Sequence, residues 1–221
     1  MALTKFNFNS FDVTSAASKG LVFNASANGY STINPGAMTL IKTLTGSSSA
    51  YSFVNGSSDV VLDNTYPVYL FKYIGIHTNA DQVDLTFNAS DDTSSHSYDI
   101  TKTTTFFEAF HTEADGSAFD YLAGADLAQS TAVQPLGSGL GNSNDDNSNG
   151  ELYLFNPSST TFVKHFIART AQNYRAGAPA ALDQYISGYF NTTAAITAIQ
   201  FKMQSGNIDA GTIKLYGIKD S

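Results

Sequence analysis

A chain of 221 residues and 23.6 kDa can bury a sizeable core, as one large all-β domain or two small ones. Charged residues are only 14%, and a net charge of −8 with a pI near 4.7 excludes a broad electrostatic grip on nucleic acid or anionic membrane, since both need clustered Lys and Arg. Without Cys there is no disulfide framework, thiol nucleophile or Cys-based zinc site.

Residues 1–36 read as an irregular N-terminal arm or cover, rich in Asn, Ser and Ala with scattered Phe6, Phe8, Phe11 and Phe23. The opening MALTKFNFNSFDVT has no signal-peptide apolar region, and no apolar run of 18 residues follows, so the chain is expected to be made soluble in a cytoplasm, with no membrane insertion. From there, short β-rich runs alternate with turn signals: Ala37 to Thr45, Tyr51 to Val54, Asp59 to Leu62, Tyr66 to His77, Gln82 to Ala89 and Tyr98 to His111. Helix is expected only near Asp115 to Gln129 and Ala176 to Leu182, because the acids are 16 Asp to 3 Glu and about 29% of residues are Ser, Thr or Asn, a mixture that favours strands and turns. Residues 134–150, QPLGSGLGNSNDDNSNG, lack any periodicity and predict a long surface loop. Beyond it lie Gly150 to Asn156, Thr161 to Thr170, Gln184 to Asn191, Ile196 to Met203 and Thr212 to Lys219. The expected fold is a single antiparallel β-sandwich, jelly-roll-like, over residues 1–221.

Two runs are apolar on both faces. In the first, Val68, Leu70, Ile74 and Ile76 alternate with Tyr69, Phe71 and Tyr73; in the second, Phe162 and Phe166 alternate with Val163 and Ile167. A sandwich strand ordinarily buries one face, so something must cover the second: the chain's own loops or arm, or another subunit. Tyr69, Phe71, Tyr73, Phe162 and Phe166 are the expected subunit interface, since about 25 cal/mol per Å² of buried apolar surface makes covering such a patch worth several kcal/mol.

Chemical motifs are few. Asp145, Asn147 and Asn149, followed by Gly150 and Glu151, fit the first half of a calcium loop, D-x-N-x-N-G, with alternate oxygen ligands before a sharp turn. The loop's twelfth position is Asn156 instead of a bidentate Glu, and a strand follows where helices are needed, which favours an ordinary solvated loop; no other cofactor is implied. His77, His96, His111 and His165 stand far apart, with no zinc spacing. There is no G-x-S-x-G elbow and no phosphate-binding glycine loop. Glu108, between Phe106 and Phe110 on one strand face, could be an acid catalyst with Asp99, Asp84 or Glu151 as partner, although such pairs can be drawn in most β-proteins. Tyr69, Tyr73, Tyr153 and Tyr189 could form an aromatic platform for a surface glycan, without the Trp such platforms usually carry.

Three stretches, DVVLDNTYPVYLFKYIGIH (59–77), GELYLFNPSSTTFVKHFIAR (150–169) and SGNIDAGTIKLYGI (205–218), resemble virion structural proteins of tailed phages, those of marine phages and cyanophages most closely. The resemblance implies a non-enzymatic β-sandwich on the outer tail or fibre apparatus or the capsid exterior, acting in assembly or host attachment. Its implied partners are other virion proteins and further copies of itself, a homotrimer first, in a virion assembled in the host cytoplasm. The alternative is a lectin-like module that recognises a surface glycan. The resemblance brings no catalytic residue.

Overall fold

The computed structural model describes residues 20–23, 26, 30–33, 36–175 and 177–219. Most of the expected N-terminal arm, with Phe6, Phe8 and Phe11, lies outside the described residues. Among those described, every regular element is a strand. β1 (Gly20–Phe23) and β2 (Tyr30–Ile33) pair with each other. The remaining twelve form two antiparallel sheets packed face to face.

The larger sheet has eight strands. In spatial order they are β3 (Met38–Thr45), β14 (Ile208–Ile218), β5 (Val68–Thr78), β10 (Ser148–Phe155), β11 (Lys164–Arg175), β12 (Ala178–Phe190), β7 (Lys102–Thr112) and β8 (Ser117–Tyr121). The smaller sheet runs β4 (Tyr51–Val54), β13 (Ala198–Met203), β6 (Val83–Ser90) and β9 (Gln134–Leu140). The expected sandwich is therefore the observed one.

Aromatic rings close the space between the sheets. Phe71 on β5 meets Phe53 of β4 and Phe201 of β13, both at 5.3 Å between centroids; Phe87 of β6 meets Phe166 of β11 edge-on at 5.0 Å and Phe190 of β12 at 6.1 Å. Offset and edge-on rings at these distances add to the stabilisation from burial itself. Tyr69, Phe71 and Tyr73 are fully buried and Phe166 almost so. The expectation that they form a subunit surface is thus corrected: the smaller sheet of the same chain covers them. Phe162 precedes β11 and is 73% exposed in a turn. The apolar residues on the opposite side of the sheet are the alternate ones, Val68, Leu70, Ile74 and Ile167, of which Leu70 is itself buried at 2% exposure. Ile76 leaves that set, because Gly75, at φ +58°, bulges β5 and turns Ile76 inward.

Other expectations are corrected too. Residues 117–121 form β8 and residues 178–182 open β12, where a helix was expected in each place. Residues 134–140 are strand β9, leaving a loop of only 141–147. Asp59 to Leu62 is irregular, although Val60 and Leu62 are buried in the core.

One end of the sandwich is closed by two fully buried lysines. Lys102 Nζ donates to the Ala132 carbonyl, and Lys164 Nζ to the carbonyls of Thr192 and Ala194. Each ammonium ties a loop to the inner face of the large sheet. Burial pulls the Lys102 ammonium down to about 8 against the opposing charge of Asp99, and it depresses Lys164 likewise, with Asp91 opposing.

Candidate functional site

The outer faces of the two sheets differ in character. On the smaller sheet, outward positions are polar: Gln200 donates to Ser52 at 3.1 Å, Thr86 donates to the Lys202 carbonyl, and Asn88 donates to the Thr131 carbonyl. On the larger sheet, outward positions carry rings, aliphatic side chains and paired charges.

Strand register places these outward residues in rows. One row crosses all eight strands: Thr43, Lys214, Lys72, Glu151, Arg169, Tyr185, Phe107 and Tyr121. A second, apolar row lies one step along, where Leu40, Tyr216, Leu70, Tyr153 and Ile167 are cross-strand neighbours from β3 to β11. Ile167 is 52% exposed and Ile74 48%. At the β8 edge, Phe107 stacks on Phe119 with planes 7° apart and meets Tyr121 edge-on at 5.1 Å.

The charges are held in place. Arg169 Nε donates to Asp183 Oδ1 at 2.8 Å while Nη2 donates to Oδ2, a two-point pairing that fixes the guanidinium plane. Tyr185 Oη donates to the same carboxylate at 2.7 Å, and Arg169 lies 5.0 Å from the centre of the Tyr185 ring. The Arg169 bond holds the Asp183 carboxyl below its ordinary range, and Asp183 in turn raises the Tyr185 phenol. On the other side, Lys72 and Glu151 form a looser pair at 3.8 Å. Burial, then the neighbouring Glu151, raises the Tyr153 phenol. Between these groups lies a shallow trough. It has a volume of about 330 Å³ and is lined by Phe107, Tyr153, Ile167, Arg169 and Tyr185.

The other sequence candidates fall elsewhere. Glu108 points into the core, 2% exposed, and accepts a bond from Gln184 Nε2 at 2.7 Å. Glu151 lies on the outer face, so the two do not meet across a cleft. In the calcium candidate, Asn147 Oδ1 accepts from Asn149 Nδ2, Asn149 Oδ1 accepts from the Gly75 N–H at 2.7 Å, and the Asp145 carbonyl accepts from Asn147 and Asn173. Those oxygens bind the loop to itself and to β5. Among the described residues no three His, Asp or Glu gather as metal ligands.

The loop is instead fastened by His77, whose Nε2 faces the Ser143 carbonyl at 2.9 Å and whose Nδ1 faces Asp209 Oδ1 at 2.5 Å. A carbonyl can only accept and a carboxylate prefers to, so this geometry wants a proton on both nitrogens. Partial burial opposes the charge, but the bonds to Asp209 and Ser143, with the charges of Asp209 and Asp146, raise the imidazolium above its ordinary pKa. His96, His111 and His165 take separate partners: Thr197, Asp115 and the Tyr189 ring.

Of the proposed glycan platform, Tyr69 and Tyr73 are in the core, whereas Tyr153 and Tyr189 are partly exposed on the outer face. The residues that sequence reasoning missed are Arg169, Asp183 and Tyr185. Their signal was the short spacing Asp183-x-Tyr185 opposite an Arg, which means nothing until β11 and β12 are in register. No family model, no curated protein and no solved structure matches the chain.

Proposed function

We propose that the chain is a non-enzymatic structural protein of a tailed-phage virion, on the outer tail or fibre apparatus or the capsid exterior. The observation that carries the reading is the outer face of the eight-stranded sheet, which presents ordered charges and exposed apolar side chains on rigid strands. Such a face suits a part that works by being held against a neighbour, as an interface combines apolar anchors with oriented charge. The resemblance of residues 59–77, 150–169 and 205–218 to phage virion proteins supports the setting. Glu108, sealed in the core by Gln184, is out of reach of a substrate. Mass spectrometry of purified particles, with immunogold labelling of heads and tails, tests the proposal. The protein is expected in the particle, and its absence there overturns the reading.

A second reading takes the same trough as a glycan site. Tyr153, Tyr185 and Phe107 beside the Arg169 and Asp183 pair offer rings next to oriented donors and acceptors, the mixture by which sugars are recognised. Binding on a glycan array that is lost in Tyr185→Ala supports this reading; no signal on the array removes it.

A further inference from the structure

We propose that the outer face of the eight-stranded sheet pairs with the same face of a second copy, about a twofold axis that runs parallel to the strands between β10 and β11. The argument is self-complementarity. Four strands, β3, β14, β5 and β10, lie on one side of that line and four, β11, β12, β7 and β8, on the other. A twofold axis in the plane between two facing sheets lays β10 over the partner's β11 and β5 over its β12.

Along the charged row, this sets Glu151 against Arg169 of the partner subunit and Arg169 against Glu151 of the partner subunit. Lys72 meets Tyr185 of the partner subunit beside Asp183 of the partner subunit, and Lys214 meets the ring of Phe107 of the partner subunit. Opposite charges meet at the centre, and a cation meets an aromatic face further out. In the next row Tyr153 and Ile167 flank the axis, so each covers the other's counterpart. The pairs nearest the axis matter most, because the roughly 30° crossing of packed sheets displaces them least.

Size agrees. Eight strands at about 4.8 Å and six residues at about 3.4 Å give a face of about 38 by 20 Å. That is about 760 Å² per copy, against about 800 Å² per partner in a stable protein interface. The β3 edge of the sheet is a poorer docking site. There a bulge and the half-buried Lys42, whose cross-strand partner is the buried Leu215, obstruct a further strand.

The pairing uses the surface that the proposed function uses, but it is tested on the isolated protein, so its failure does not decide whether the protein is in a virion. Sedimentation equilibrium of the full chain should give twice 23.6 kDa. Glu151→Arg alone and Arg169→Glu alone should each weaken self-association about 30-fold or more. Mixing the two variants should restore a dimer containing one of each, because every cross-subunit pair is then matched, and the double variant should self-associate again. Far-UV circular dichroism and unfolding curves establish that each variant is folded. On the unaltered protein, zero-length carbodiimide coupling should yield a dimer band containing a Lys72–Asp183 cross-link. Because Lys72 and Asp183 also line one hollow of the same chain, the cross-link is scored as intersubunit on a mixture of isotopically labelled and unlabelled protein, where it should join one labelled and one unlabelled peptide. A monomer at all concentrations, a trimer, or a dimer indifferent to both charge reversals overturns the proposal.

Discussion

At Gly150 the large sheet has no room for a side chain. A Cβ there would lie 2.2 Å from the Arg169 carbonyl oxygen and 2.6 Å from the Tyr73 ring. The first neighbour is backbone and the second is locked in the core, so neither yields. Gly150→Ala should destabilise the fold by about 2–4 kcal/mol in urea unfolding. Phe87 offers the opposite test. It touches Phe166, Phe190 and Phe201, so Phe87→Ala should cost about 3–5 kcal/mol.

Two titrations should pull stability in opposite directions. The folded-state pKa of His77 is raised, so its contribution is complete below about pH 6.5, the unfolded value, and is lost as pH rises through the folded one. The folded-state pKa of Lys102 is lowered to about 8, so its penalty is complete below that value and is relieved as pH rises toward the unfolded value of 10.5. Stability should therefore fall above about pH 6.5 and recover above about pH 8. His77→Asn should remove the fall, leaving the variant about 1–2 kcal/mol less stable at acidic pH and nearly equal to the parent at alkaline pH. Lys102→Met should reduce the recovery, leaving the part that the likewise depressed Lys164 contributes. Urea midpoints measured across pH for the three proteins check both.

At the scale of elements, strands were legible where alternation survived. Ile199, Phe201 and Met203 against Gln200 and Lys202 mark β13, and the observed burial follows that alternation. β9 was hidden because PLGSG contributes backbone and little side chain. Its register on β6 is broken by bulges, and it is held by the side chains of other strands, Gln172 donating to the Ser138 carbonyl and Asp84 accepting from the Gly139 N–H. β8 was hidden because Ala and Leu around it suit a helix. A turn at Asp115, with the Thr112 N–H bonded to the Gly116 carbonyl, instead returns the chain onto the open edge of β7. The two-faced apolar run 66–77 was read correctly as two-faced, yet which side was core could not be known before the smaller sheet was placed. The same holds for the outer face: its charges are spread over residues 72–214 and become a site only through register. At the opposite edge, Lys42→Val should expose a flatter apolar β3 and promote aggregation, measured as light scattering on mild heating.

At the scale of the molecule, the twofold pairing argued for the outer face predicts even-numbered assemblies, in contrast to the homotrimer that the resemblance implies. The two differ in closure. A twofold contact uses one patch twice and stops, whereas a trimer needs two different patches on each copy. Native mass spectrometry of the recombinant protein distinguishes a dimer or tetramer from a trimer.

The position of β14 has a temporal consequence. It lies between β3 and β5, bonded to both, although more than 160 residues separate it from β3 in the chain. A chain ending before residue 208 therefore leaves β3 and β5 with facing, unfilled edges, and the first strand of the large sheet waits for the last. Such long-range closure slows folding, in the manner of β-sandwiches that take milliseconds to seconds. While it is pending, those edges are open to other chains. Refolding should then be slow and cleanest at low protein concentration, and a chain cut at Asn207 should fail to become protease-resistant until a peptide spanning residues 206–219 is supplied in trans.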